Sequence, residues 1–141
     1  MKPRWIIQTV VLGLVGMVFA GCVVFEPVPN DPLDGTSWVL VSLEGEDPLG
    51  GISITASFDA GSLHGSSGCN NYGASYEIDG DRIEVREIES TLMACIDPRG
   101  ASDQEQKFIA LLGSSQSYQI ADGQLRLLRS NRELLSFVPS D

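Results

Sequence analysis

Between Ile52 and Phe58 the chain alternates without a break. Ile52, Ile54, Ala56 and Phe58 fall on one side, and Ser53, Thr55 and Ser57 on the other. A period of two is the mark of a strand with one face in a core and one in water. Thr36–Leu43 is apolar on both sides, with Trp38 and Leu40 against Val39, Val41 and Leu43, and predicts a well-covered strand. Asp59-Ala60-Gly61 then turns the chain into a short segment, Ser62–Gly65, that delivers a Gly-rich loop. Ala74–Ile78 and Arg82–Val85 flank Asp79-Gly80-Asp81, which predicts a hairpin with Tyr76, Ile78, Ile83 and Val85 facing the core. Ser117–Ile120, Gln124–Leu128 and Glu133–Val138 close the chain as three further strands, with Asp122-Gly123 and Ser130-Asn131 at their turns.

One segment follows the helical period instead. Phe108, Leu111 and Leu112 share a stripe, and Gly113 stands where a helix would stop. Ser102-Asp103-Gln104-Glu105 has the spacing of a capping box, in which the Ser hydroxyl and the Glu carboxylate satisfy each other's free backbone donors. Short strands with regular turns and one helix predict a mainly β (α+β) fold. The expected form is a small antiparallel β-barrel or strongly curved sheet, with the α-helix plugging or covering one opening.

Gly65-Ser66-Ser67-Gly68-Cys69-Asn70-Asn71-Tyr72 is too rich in Gly, Ser and Asn for a regular strand, and predicts a tight irregular loop. Ser90-Thr91-Leu92-Met93-Ala94-Cys95 carries a second cysteine. Joining Cys69 to Cys95 would close a loop of about 27 residues, a constraint that the chain-entropy model credits with roughly 3.5 kcal/mol.

The first residues have the character of an export signal. Lys2 and Arg4 make a basic start, Val10–Ala20 is apolar apart from glycine, and Ala20-Gly21 supplies small residues before Cys22. The apolar run is short for a membrane-spanning helix, which takes about 20 residues. Phe19-Ala20-Gly21-Cys22 is similar to a bacterial lipobox, although Phe19 stands where an aliphatic residue is usual. The expected layout is a signal peptide over 1–21, then a lipidated Cys22 opening a Pro-rich tether over 22–34. A domain over 35–138 and a short tail over 139–141 complete it. Pro27, Pro29 and Pro32 favour an extended tether without chemistry of its own. Val23 is not the aspartate that retains lipoproteins at the inner membrane, so the expected address is the cell envelope. In a host with two membranes that means the outer membrane, facing the periplasm.

The 141 residues carry a formal net charge of −10, and loss of residues 1–21 would remove two of the cations. An acidic surface repels nucleic acid and anionic headgroups, so attachment through the lipid is the expected contact with membrane and nucleic acid is not an expected partner. The domain is expected to act as a monomer.

Candidate chemistry is sparse. Cys69 and Cys95 could be a structural disulfide, buried free thiols, a metal pair or a redox centre. Export favours the disulfide, two cysteines alone rarely hold a metal, and the spacing is not Cys-x-x-Cys. His64 with Cys69 and Asn70 or Asn71 invites a Cys/His/Asn nucleophile. Against it, an Asn pair beside glycine more often caps its own backbone, making Gly68, Asn70 and Asn71 structural loop residues. Gly65–Gly68 lacks the lysine and following helix of a phosphate loop. Asp79 with Asp81 and Asp97 with Asp103 sit on turns, where aspartates are usually solvated. Arg126, Arg129 and Arg132 form the basic cluster, a docking patch or simple charge balance.

Gly35-Thr36-Ser37-Trp38, Gly68-Cys69-Asn70-Asn71-Tyr72, Ser90–Cys95, Glu105 with Phe108, and the closing Tyr118, Leu125 and Leu127 together resemble a META domain, the HslJ-like family of small envelope proteins. The resemblance covers Gly35–Val138. It implies a compact barrel-like fold with one helix and frequent lipoprotein export. It also implies loose links to heat shock and aminocoumarin resistance in bacteria, and to virulence in a parasite. It carries no agreed activity or catalytic residue, and no cofactor or metal is expected. The expected function is therefore non-catalytic: a structural or interaction module of the envelope, linked to stress or drug resistance. Two other readings name an envelope protein or a small apolar ligand as partner. In one the barrel holds the apolar molecule, which a core filled by Trp38, Phe58, Tyr76, Phe108 and Phe137 would exclude. In the other the exposed Gly-rich loop inhibits a hydrolase of the envelope or host.

Overall fold

The computed structural model describes residues 30–141. The signal segment, Cys22 and most of the tether lie outside them. The described residues form eight strands, β1 (Thr36–Leu43), β2 (Thr55–Asp59), β3 (Ser62–Ser66), β4 (Asn71–Asp79), β5 (Arg82–Ser90), β6 (Ser117–Ala121), β7 (Gln124–Arg129) and β8 (Arg132–Pro139), and one helix, α1 (Ala101–Ser114). Each strand pairs antiparallel with the next, and β8 returns to β1, so the strongly curved sheet closes into a ring. Closure removes the unpaired edges that an open sheet would present.

Alternation decides which side chains enter the ring. Ile54, Ala56 and Phe58 are buried, as are Tyr76, Ile83 and Val85 of the β4–β5 hairpin, while Ile78 is half-buried. On β1 the expected two-sided cover is replaced by a register shift between Leu40 and Ser42. One extra residue on a strand reverses the facing of all that follow. Leu43 therefore joins Trp38 and Leu40 inside, and Val39 and Val41 lie half-exposed. Phe58, Phe108, Phe137, Leu63, Leu112, Leu125, Leu127 and Leu135 are almost wholly buried, with Trp38 and Tyr76 beside them. The interior is filled by side chains, the condition set above against a ligand held within the barrel. Phe58 meets Tyr76 edge to face, with ring centroids 5.0 Å apart.

The ring is thinnest between β5 and β6. They share the single pair Arg82↔Ser117, flanked by the bonds Ile83 N–H to Gln116 O at 3.2 Å and Tyr118 N–H to Asp81 O at 2.9 Å. Beyond that point β5 diverges, and α1 packs against it, Gly113 lying beside Ile88. Phe108 reaches Tyr72 at 5.4 Å between ring centroids and closes the core from that side. Two expectations for this helix fail. Its N-cap is Gly100, at φ 91°, without a side-chain cap, and Ser102 lies inside the first turn. Gly113 is also helical; the C-cap is Ser115. An added Cβ at 113 would stand 3.1 Å from Ile88 Cδ1, so the isoleucine side chain would have to shift by a few tenths of an ångström.

The strand directions divide the molecule into two ends. The chain enters β1 at the same end as the turns at 60–61, 80–81 and 122–123. Leu33 is buried there, Asp34 Oδ1 accepts the Ala60 N–H at 2.7 Å, and Tyr76 Oη donates to Asp31 Oδ2 at 2.6 Å. The connections at 67–70 and 91–100 lie at the opposite end. Among the described residues no helix is long and apolar enough to cross a membrane.

Candidate functional site

The Gly-rich stretch is shorter as a loop than its composition predicts. β3 and β4 run through Gly65, Ser66, Asn71 and Tyr72, with Ser66 opposite Asn71, so four residues remain to make the connection. Gly65 is tolerated in β3 because Thr55 crosses so close that an added Cβ would overlap its carbonyl oxygen. Gly68 has φ 112°, and a Cβ there would sit 2.7 Å from Ile52 Cγ2. Both glycines are required by close approach, and the second also by its backbone angle.

Within this connection Ser67 and Asn70 are buried, and Cys69 is joined to Cys95, with Cα atoms 5.9 Å apart. Asn70 does not cap its own turn, as the Asx reading expects. Its Oδ1 accepts the Met93 N–H at 2.7 Å and the Thr91 hydroxyl at 2.9 Å. Its Nδ2 donates to Glu105 Oε2 at 2.8 Å and to the Met93 carbonyl at 3.3 Å. The amide thus has two partners for its oxygen and two for its nitrogen, all four of them in the 91–105 region. Asn71 contributes backbone: its N–H bonds Thr91 Oγ1 at 3.2 Å, and its carbonyl accepts the Thr91 N–H at 3.0 Å.

Glu105 is the residue that sequence reasoning misassigned. Instead of reaching back to cap α1, Glu105 turns inward, and the residue is 7% exposed. Oε1 accepts the Asn70 N–H at 3.1 Å and touches the Ser67 hydroxyl, which also lies 2.9 Å from the Asn70 carbonyl. Among the described residues its partners are all neutral, with no lysine, arginine or histidine paired to it. The signal that could have found it is Glu105 standing one helical turn before Phe108: a carboxylate on the inward stripe.

The outcome is a rigid platform from which apolar groups project. Leu92 is 97% exposed, Ile96 87% and Met93 61%, although the backbone that carries them is held at Thr91, Met93 and Cys95. Beside them runs an open groove of about 550 Å³, walled by Leu92, Met93 and Ala94 on one side and Ile109 and Ala110 of α1 on the other. Exposed, contiguous apolar groups on an ordered frame mark an interaction surface more often than chance.

The remaining candidates do not converge. His64 is exposed on β3, and the Cys69 sulfur is engaged in the disulfide, so the Cys/His/Asn nucleophile is not assembled. Asp79, Asp81, Asp97 and Asp103 are all exposed. Arg126 lies 3.5 Å from Glu133 and Arg132 2.9 Å from Glu44, which is charge balance. The Gly-rich loop does not protrude; the projecting element is 92–96.

The family model described as META domain matches residues 31–141. Among solved structures, a protein from Burkholderia xenovorans determined by NMR is 27% identical, with 82% of this chain and 94% of that one covered and a TM-score of 0.61. A DUF4847 family protein from Bacteroides vulgatus is 15% identical, with 76% of this chain and 94% of that one covered and a TM-score of 0.57, a likeness of fold alone. No curated protein matches the sequence. Neither the family nor these structures bring a catalytic activity with them.

Proposed function

The chain belongs to the META domain family, and from that premise we propose that it is a lipid-anchored protein of the bacterial cell envelope, acting without catalysis as an interaction module. Cys22 carries the lipid, the tether runs from it to residue 30 (shorter than the expected 22–34, because Asp31, Leu33 and Asp34 pack into the domain), and the domain faces the periplasm where the host has an outer membrane. The observation that carries the reading is the exposure of Leu92, Met93 and Ile96 on a backbone fixed by a disulfide and by Asn70. Ordering those residues on binding costs little, because the frame is already rigid.

Position supports the same reading. The chain enters the domain at the end opposite 91–100, so a tether attached there leaves the apolar loop facing away from the anchor. The partner is a protein whose own apolar side chain fills the groove between Met93 and Ile109. A link to stress or drug resistance would run through that partner.

A photo-crosslinking residue at position 92, in intact cells, tests the module. It should capture one discrete protein that the same probe at Gln119, on the exposed wall of β6, does not. The reading fails if positions 92 and 119 give the same products. Intact mass of the chain extracted from membranes tests the anchor: the mature species should begin at Cys22 with added acyl mass, and Cys22→Ser should abolish it.

A further inference from the structure

We propose that reduction of the Cys69–Cys95 bond turns the junction of the 67–70 connection with Cys95 and α1 into a binding site for one divalent cation of the zinc type, held by the two thiolates and the Glu105 carboxylate. The inference stands apart from the docking role of the apolar loop.

Geometry carries it first. One ligand atom from each of Cys69, Cys95 and Glu105 lies within 4.8 Å of the other two. Glu105 Oε2 is 3.9 Å from the Cys95 sulfur. Thiolates bind zinc at about 2.3 Å, so two on one ion stand roughly 3.5–4 Å apart. Cysteines whose Cα atoms are 5.9 Å apart reach that spacing by side-chain rotation once the bond between them opens. The Met93 carbonyl, 3.6 Å from one sulfur and 3.9 Å from the other, or a water, completes a tetrahedron.

Electrostatics carries it second. A carboxylate nine-tenths buried and without a cationic neighbour is costly, and neutral hydrogen bonds offset only part of that cost. A bound dication would supply the missing countercharge. Both cysteines are half-buried, which leaves an entry path. Two thiolates with one carboxylate suit a borderline-soft ion and not magnesium or calcium.

The step balances with a dithiol reductant, small or protein. Two electrons and two protons pass to the Cys69–Cys95 bond, which breaks to two thiols, while the reductant becomes a disulfide. Metal binding then forms two metal–sulfur bonds and one metal–oxygen bond and releases the two thiol protons to solvent. The 67–70 connection would stay tied to 95 in either redox state, by a covalent bond or by an ion.

The test uses the full-length chain, reduced with a non-chelating phosphine without oxygen and titrated with Co²⁺ and then Zn²⁺ alone. The reduced chain should take up one Co²⁺ with thiolate-to-metal charge-transfer absorption and give it up to Zn²⁺, while the oxidised chain takes up none. Glu105→Gln should weaken binding about tenfold or more, since even loss of a residue that only orients a ligand costs that much. X-ray absorption of the zinc-loaded wild type should find two sulfurs per zinc, a readout that needs no variant. The proposal is overturned if the reduced chain binds no metal, folded or not, if Glu105→Gln binds as tightly as wild type, or if zinc is found with four sulfurs or none.

Discussion

The side-chain amide of Asn70 pairs with the peptide groups of Met93 as a neighbouring strand would. It accepts the Met93 N–H at 2.7 Å and donates to the Met93 carbonyl at 3.3 Å. One side chain thus stands in for a strand pairing at a point where β5 has ended. The irregular 91–100 connection inherits the order of the sheet through it.

Asn70→Asp removes both N–H donors of Nδ2, those to Glu105 Oε2 and to the Met93 carbonyl, and sets a second carboxylate against Glu105 Oε2, now 2.8 Å from Nδ2. Loss of a buried hydrogen bond with a polar partner left unsatisfied costs about 1–3 kcal/mol, and like charges add to it. The aspartate variant should therefore be less stable than Asn70→Ala, although it is nearly isosteric with the wild type. Urea midpoints of the three proteins give the order, and hydrogen exchange at Met93 should rise in both variants. An aspartate variant as stable as wild type would mean that the carboxylate of Glu105 is not where the amide needs it.

The disulfide and the Asn70–Glu105 network hold the same two segments, so their effects should couple. With a chelator present, the Cys69→Ala/Cys95→Ala double variant should lose at most roughly 3.5 kcal/mol, the entropy of closing the loop. Glu105→Gln places an amide donor against the Asn70 and Ser67 donors and should cost about 1–3 kcal/mol by itself. Combined, the losses should differ from their sum by more than the roughly 0.5 kcal/mol of independent sites. Thermal or urea unfolding of the four proteins measures the cycle, and strict additivity would show that the two clamps act separately.

Much of the fold is legible in the sequence, and the features that are not share a cause. Strands and hairpins announce themselves locally: alternation at Ile54, Ala56 and Phe58, and two-residue turns such as Ser130-Asn131, both at positive φ. What stayed hidden depends on neighbours distant in sequence. Gly65 looks like loop material until Thr55 is seen crossing it. Ser102 and Glu105 satisfy a capping pattern by spacing, yet Glu105 finds better partners in Ser67 and Asn70, more than thirty positions away. The bulge on β1 left no mark in the sequence, because Val41 is as apolar as the residues on the face it replaces. Asn70 stands out in its Gly-rich setting, but its bonds to Met93 depend on a segment more than twenty positions away.

Tyr72 is buried, and its hydroxyl donates to the Thr55 carbonyl at 2.9 Å. Burial raises its pKa, and Tyr76 is raised in the same sense by burial and then by its bond to Asp31. In the unfolded chain these phenols ionise near pH 10. Their contribution is fully present below about pH 10 and is lost as pH rises further, because the unfolded state sheds protons that the folded state retains. Stability should therefore fall with increasing alkalinity above about pH 10, and Tyr72→Phe should flatten that fall while losing some stability at neutral pH. Urea midpoints across the alkaline range decide it; identical slopes in variant and wild type would remove Tyr72 from the account.

Leu92 and Met93 test whether stability and recognition reside in different atoms. The Met93 backbone is clamped, but its side chain and that of Leu92 are largely in water. Exposed substitutions away from such clamps usually change stability by less than about 0.5 kcal/mol. Leu92→Asp with Met93→Asp should therefore leave the unfolding midpoint close to wild type, with Met93 N–H still bonded to Asn70. The same double variant should abolish capture by a crosslinker placed at position 96, since charge would replace the apolar face a partner has to cover. A fall in stability of several kcal/mol would instead assign the two side chains to the fold. Undiminished capture would move the interaction surface away from this loop.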